Sequence, residues 1–271
     1  MPHLPVKSNP ALPNGRTHDA WPGTLPCIAI GTAGPYYSAH MIVSAHQPYF
    51  CPYPGYFAKA MRSDVFVVLD AVQFPRGSSW VTRNRFKNDQ GAFWMSVPVK
   101  KKGLGLQRID GVRVLREGGW GRKHLESIRT AYARAPYLDD HLPVFERAFT
   151  HGQELIRDLD LELITHALKY LGSGTRVVLQ SSLHARGNGT GLLVELCREL
   201  KASAFLTYAS ARKYLDEGLF ADAGIALSFF SPQPVVYPQL WGDFIPNLSV
   251  FDLLLTCGEK SREIMEKQYR R

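Results

Sequence analysis

The chain has 271 residues, 45% of them hydrophobic, with four cysteines and a formal net charge of +8. It is long enough to bury one large core; no apolar run has the length of a membrane-spanning helix; and Cys27, Cys51, Cys197 and Cys257 lack the paired spacing of a disulfide framework or a structural zinc site. A reducing, cytoplasmic setting suits that cysteine usage, and the proline-rich first 40 residues read as a disordered extension without the features of a secretory signal.

Met41-Ile42-Val43 opens a strand expected to end at His46, and a loop follows through Gln47-Pro48-Tyr49-Phe50-Cys51-Pro52-Tyr53-Pro54. Its prolines exclude regular structure and preset φ, while its aromatic rings suit a pocket wall held rigid ahead of a ligand. A short helix carrying Lys59 and Met61 comes next, then a buried strand from Asp64 to Asp70, which together complete a βαβ-like unit. Ligands of open parallel sheets bind outside the carboxyl ends of the strands, so His46 and Asp70 are expected to share one rim. Gln73, Arg83 and Arg85 then offer anion ligands, and Val97-Pro98-Val99 reads as a further strand before Lys100-Lys101-Lys102.

Helical periodicity takes over downstream. Trp120 to Arg134, Tyr137 to Phe149 and Leu155 to Leu171 each repeat apolar residues at helical spacing, so three helices are expected to pack together as a segment of about 118–172. Strands at Arg176 to Leu179, Ala204 to Thr207 and Ile225 to Phe229 alternate with helices at Thr190 to Leu200 and Ala209 to Tyr214. This alternation marks an α/β fold, a mixed, mostly parallel sheet with βαβ units and an inserted or appended helical segment. Ser181, Ser182, Tyr208 and Ser210 fall at strand ends, and the Gly187 to Gly191 loop reads as a turn capping a helix, because it lacks the lysine of a phosphate loop. A second aromatic loop, Tyr237 to Ser249, leads into a helix from Val250 to Leu255 with Ser249 as N-cap and Asp252 in the first turn.

Taken in order, several short motifs resemble the WbqC-like proteins of bacteria: His46-Gln47-Pro48 with Pro52 and Gly55, the run to Asp70 and Gln73, Arg83-Asn84-Arg85, and Val97-Pro98-Val99. Further along stand Lys123-His124-Leu125 with Tyr132, Ser181-Ser182, Ser210-Ala211-Arg212 with Tyr214, and Leu248-Ser249 with Asp252 and Gly258. The resemblance spans about residues 41 to 260. It implies a product of polysaccharide or natural-product gene clusters, presumed a transferase, and a chain start near Met41. Two departures are Thr207-Tyr208-Ala209, where relatives tend to have Gly-Pro, and Thr256, where asparagine is common.

The candidate chemistry is group transfer. His46 is the expected general base, with Asp70 or Asp252 fixing its tautomer, and Lys59, Arg83 and Arg85 hold a phosphate, carboxylate or developing oxyanion. Gln47, Tyr49, Gln73, His124, Ser181, Ser210, Tyr214 and Asp252 complete the substrate-binding set. Cys51 would serve as nucleophile only with a lowered pKa. His46, Asp70, His124 and Asp252 could ligate a metal, but their spacing follows no metal pattern, so metal-free transfer is preferred, and the sequence specifies no cofactor. The basic surplus suits an anionic substrate such as a nucleotide sugar or acyl donor, or a partner such as an acyl carrier protein or tRNA. The leading expectation is acyl or aminoacyl transfer to an amino-sugar or related acceptor. Alternatives are a non-catalytic subunit binding a nucleotide sugar or carrier protein, and a nucleotidyl transferase.

Overall fold

The structure, a computed structural model, describes residues 40–150 and 152–269. The extension expected at the start therefore lies, except for His40, outside the described residues, as does Cys27. From β1 (Ile42–His46) the chain passes through α1 (Pro54–Ala60) into β2 (Val65–Val68). The two strands pair in parallel, Val43 opposite Val65 and His46 opposite Val68. All four β2 residues, Val-Phe-Val-Val, are buried, as a strand covered on both faces requires.

A long excursion follows before the sheet resumes. It comprises an antiparallel hairpin, β3 (Arg83–Asn88) and β4 (Gly91–Ser96), and three helices, α2 (Trp120–Ala131), α3 (Leu138–Thr150) and α4 (Ile156–Tyr170). α3 packs against both α2 and α4. The chain re-enters the sheet as β5 (Arg176–Leu179), continues through α5 (Gly189–Glu199), β6 (Ala204–Tyr208), α6 (Glu217–Asp222) and β7 (Ala226–Phe230), and after an irregular stretch ends in α7 (Val250–Cys257) and α8 (Lys260–Tyr269).

The five-stranded sheet runs β5-β2-β1-β6-β7, parallel at every pairing. From β1 the chain builds outward to β2 and β5, then returns to lay β6 and β7 on the other side. This is the doubly wound order, whose direction reverses between β1 and β6. Successive side chains of a strand face opposite ways. Val43, Val65, Val67 and Phe205 therefore pack toward Leu196 of α5 and Phe220 of α6, while Phe66, Val68 and Leu206 pack with α1, α7 and the helices of the excursion.

The α/β class is as expected, with antiparallel strands confined to the separate hairpin and three isolated antiparallel bridges outside it among the described residues. Several local readings change. Val97-Pro98-Val99 is not a strand of the sheet: Val99 makes only an isolated bridge with Val114, and Pro98 has no N–H for a ladder. The true strands just upstream are β3 and β4, and β3 is hidden by polar residues, since Arg-Asn-Arg-Phe-Lys-Asn has no apolar alternation to detect. Ala209–Tyr214 winds as a 3-10 segment, and α6 and α8, both mostly polar, were not anticipated.

Candidate functional site

The reversal point places His46, at the end of β1, beside Tyr208, at the end of β6. The His46 ring lies 4.5 Å from Tyr49, 5.0 Å from Tyr56 and 5.7 Å from Tyr208, each edge to face. Lys59 reaches this cluster from α1: its Nζ donates to the Ala45 carbonyl at 2.9 Å and sits 4.3 Å from the centre of the Tyr208 ring. α1 can approach so closely because residue 55 is glycine; a Cβ there would come within 2.4 Å of the Tyr53 ring and 2.9 Å of Pro232.

The loop between β1 and α1 is fixed from outside. Cys51 takes a left-handed φ of 45°, which needs support in a non-glycine residue. Asn84 Nδ2 supplies it by donating to the Phe50 and Cys51 carbonyls at 3.1 and 2.6 Å. The Phe50 N–H donates to Trp80 O, and the Val250 N–H at the start of α7 donates to Pro52 O. The pocket wall is therefore clamped by the hairpin and by α7.

Burial, then the nearby Lys59 charge, push the His46 pKa down to about 3. The ring is neutral at pH 7. Its Nδ1 lies 3.0 Å from the Gln47 carbonyl and must carry the proton to bond there, leaving Nε2 as a lone pair with no hydrogen bond among the described residues. Burial likewise pushes Lys59, 1% exposed, down to about 7. Tyr49 is pushed up to about 12 by burial and by Tyr53, and its hydroxyl makes no hydrogen bond among the described residues. Tyr56 and Tyr208 are tied down, donating to Gln47 O and Gly55 O. Two basic groups thus lose charge through burial, and no carboxylate is hydrogen-bonded to either. An arriving anion would supply the missing countercharge and raise both pKa values.

Other expected residues go elsewhere. Neither acid touches His46. Asp70, fully buried, accepts from Ser181 N at 2.9 Å and Ser181 Oγ at 2.6 Å and faces Arg157 at 3.4 Å, so the two residues tie the ends of β2 and β5 together. Asp252 accepts from the Tyr132 and Tyr237 hydroxyls at 2.6 and 2.8 Å. The expected tautomer-fixing contact is replaced by the Gln47 carbonyl. His124 meets the Ser96 backbone through Nε2. Arg85 donates to the Pro246 and Asn247 carbonyls, and Arg83 lies over the Trp94 ring, so neither joins Lys59. Gln73 pairs with Arg108 in an isolated bridge, and Ser210 and Tyr214 are exposed. The Cys51 thiol is completely buried and its pKa lies well above the usual thiol value, which rules out a resting thiolate. No cluster of three or more metal-ligating His, Cys, Asp or Glu occurs among the described residues.

Tyr53, Tyr56 and Tyr208 belong to the site in addition. Tyr208 had a signal: it follows a strand at the point where this chain departs from its relatives' Gly-Pro. Asn84 and Trp80 carried none, because their roles depend on the hidden hairpin. A hollow of about 320 Å³ lies between α1 and α8, but its arginines are engaged. Arg62 stacks 4.4 Å from Phe230, and Arg262 donates to Gly172 O and pairs with Glu266.

A family model described as the WbqC-like protein family matches residues 47–264. The chain belongs to the WbqC-like protein family. It is 29% identical over 226 residues to the uncharacterized protein Rv1507c of Mycobacterium tuberculosis (strain ATCC 25618 / H37Rv), a match covering 82% of this chain and 96% of that protein. No solved structure matches. The matched stretch of this WbqC-like protein holds every candidate above except His46, which sits one residue before it. No helix among the described residues is long and apolar enough to cross a membrane.

Proposed function

We propose that this WbqC-like protein is a group transferase of bacterial glycan or specialised-metabolite biosynthesis, moving an acyl or aminoacyl group onto an amino-sugar or related acceptor in the crevice at the ends of β1 and β6. The carrying observation is the pair of half-buried His46 and buried Lys59, set among tyrosines at the reversal point with no bonded carboxylate. Such a site favours an anionic substrate, a nucleotide sugar as acceptor or an acyl donor, and the basic surface suits an acyl carrier protein or tRNA as the donor's carrier. With the anion bound, His46 Nε2 takes a proton from the acceptor amine or hydroxyl as that atom attacks the acyl carbon. The Tyr49 hydroxyl donates to the developing oxyanion, and the proton returns to the leaving group when the acyl bond to the donor breaks.

The rival reading is a binding subunit that holds the same ligand for a partner enzyme. It is favoured by the His46 pKa of about 3, which makes the ligand-free imidazole a weak base at pH 7. A thermal-shift screen of nucleotide sugars, acyl-CoAs, aminoacyl donors and divalent metals, followed by transfer assays with each ligand that binds, separates the two. His46→Ala is expected to lower turnover by about 100-fold or more with the fold and donor affinity kept. Anion affinity is expected to fall as pH rises through about 7, where Lys59 loses its proton. Undiminished turnover in a folded His46→Ala protein rejects the base role; tight binding without transfer from any donor selects the binding subunit.

A further inference from the structure

A line of aromatic rings leads outward from the crevice. Tyr49, in contact with His46, lies 6.4 Å from Trp80; Trp80 lies 5.6 Å from Trp94; and the Arg83 guanidinium sits 4.2 Å from the Trp94 ring. The two indoles are 41% and 47% exposed, a large apolar surface to leave in water. They are rigidly mounted. The Trp80 carbonyl accepts from Phe50 N in the pocket wall, and Trp94 stands in β4 two residues from Ser96, the partner of Arg83 across the hairpin.

The charge around them has one sign. Between Asp70 and Asp110 the chain has a single acid, Asp89, against eight lysines and arginines. Asp89 lies in the hairpin turn, where it accepts from Gln90. Lys87 and Arg85 are spent on carbonyls and Arg108 on Asp110, but Arg83 and Lys101 form no ion pair among the described residues. Lys101 instead reaches Gly77 O at 3.4 Å, in the loop that carries Trp80.

We infer that Trp80, Trp94 and Arg83 form the subsite for the base of a nucleoside diphosphate whose phosphates lie toward His46 and Lys59. The inference rests on the crevice reading above and deepens it, because it makes the amino-sugar acceptor a nucleotide-linked one. Flat indoles with a guanidinium alongside suit a planar heteroaromatic ring, and stacking of this kind accepts any base. A sugar ring on the same surface would call for carboxylates to receive its hydroxyls, and the 71–109 segment offers one, already bonded in the turn. Phosphates match the lone-sign charge and the two uncompensated basic groups.

Calorimetric titration of the full chain with ADP, UDP, inorganic pyrophosphate and ribose 5-phosphate tests the assignment, with tryptophan fluorescence as a second readout. ADP and UDP are expected to bind about ten- to hundredfold more tightly than pyrophosphate and to quench fluorescence. Trp94→Leu, a change at a half-exposed position, is expected to abolish that preference and most of the quench while pyrophosphate affinity stays unchanged. Equal binding of nucleotide and pyrophosphate overturns the base subsite and leaves the crevice reading standing. Ribose 5-phosphate binding as tightly as ADP, or a short single-stranded oligonucleotide binding far more tightly than ADP, also overturns it, in favour of a sugar or a polymer. If neither pyrophosphate nor a nucleotide binds, both readings fall.

Discussion

Asp160 of α4 is wholly buried, and neither carboxylate oxygen has a hydrogen-bond partner among the described residues. Burial pushes its pKa well above the usual carboxylate range, and its charge would act on Cys51 and Tyr56 beneath the pocket wall. The raised pKa means that this group weakens folding as pH climbs above the ordinary carboxylate value, through the cost of ionising it or keeping it protonated. Asp70 and Asp252 show the contrast, since each is buried with donors on both oxygens. Replacing a lone buried polar group with an apolar one removes its desolvation cost. Asp160→Leu is therefore expected to raise stability at pH 7 by about 1–3 kcal/mol, read as a higher urea midpoint at constant m-value. A lower midpoint would mean that the carboxyl is held by a partner the described residues do not supply.

Between α3 and α4, His141 Nδ1 lies 2.8 Å from His166 Nε2, with the Tyr170 ring 4.4 Å from His141 and Phe251 of α7 packed on both imidazoles. Burial, first, and neighbouring positive charge push both pKa values down to about 4, with Asp140 opposing at His141. In the unfolded chain they take up protons near 6.5. Stability is therefore complete above pH 6.5 and is lost as pH falls toward 4, by about 3 kcal/mol for a single histidine so shifted. Urea midpoints measured from pH 7 to 4 are expected to fall, and His141→Phe is expected to flatten the slope; an unchanged slope would show that the pair does not carry it. These helices were legible because their apolar faces repeat at helical spacing. The hairpin was not, because its core-facing residues include Asn84 and Lys87, whose burial is balanced by hydrogen bonds no periodicity reports.

At the scale of the molecule, alternation of strands and helices was readable, but strand order was not. Nothing local states that β5 docks on β2 after an excursion of more than one hundred residues, or that β6 returns to β1. The same distance explains the candidate site. His46, Gln47, Tyr49 and Lys59 were legible because 14 positions of sequence hold them together, whereas the acids were misassigned because their partners lie far away, Ser181 at 111 residues from Asp70 and Tyr132 at 120 from Asp252. Topology also distributes three buried thiols. Cys197 lies in the core on one face of the sheet, and Cys51 and Cys257 lie in the core on the other. Each can react with a small alkylating agent only when its surroundings open, so labelling times the local opening of each layer. With Cys27 replaced by serine, mass spectrometry of peptides after timed iodoacetamide exposure is expected to find Cys257 modified first and Cys51 last. Early modification of Cys51 would mean that the clamped loop breathes independently of the sheet. A thiol too inert for catalysis thus becomes a stopwatch for the stiffness of the wall that contains it.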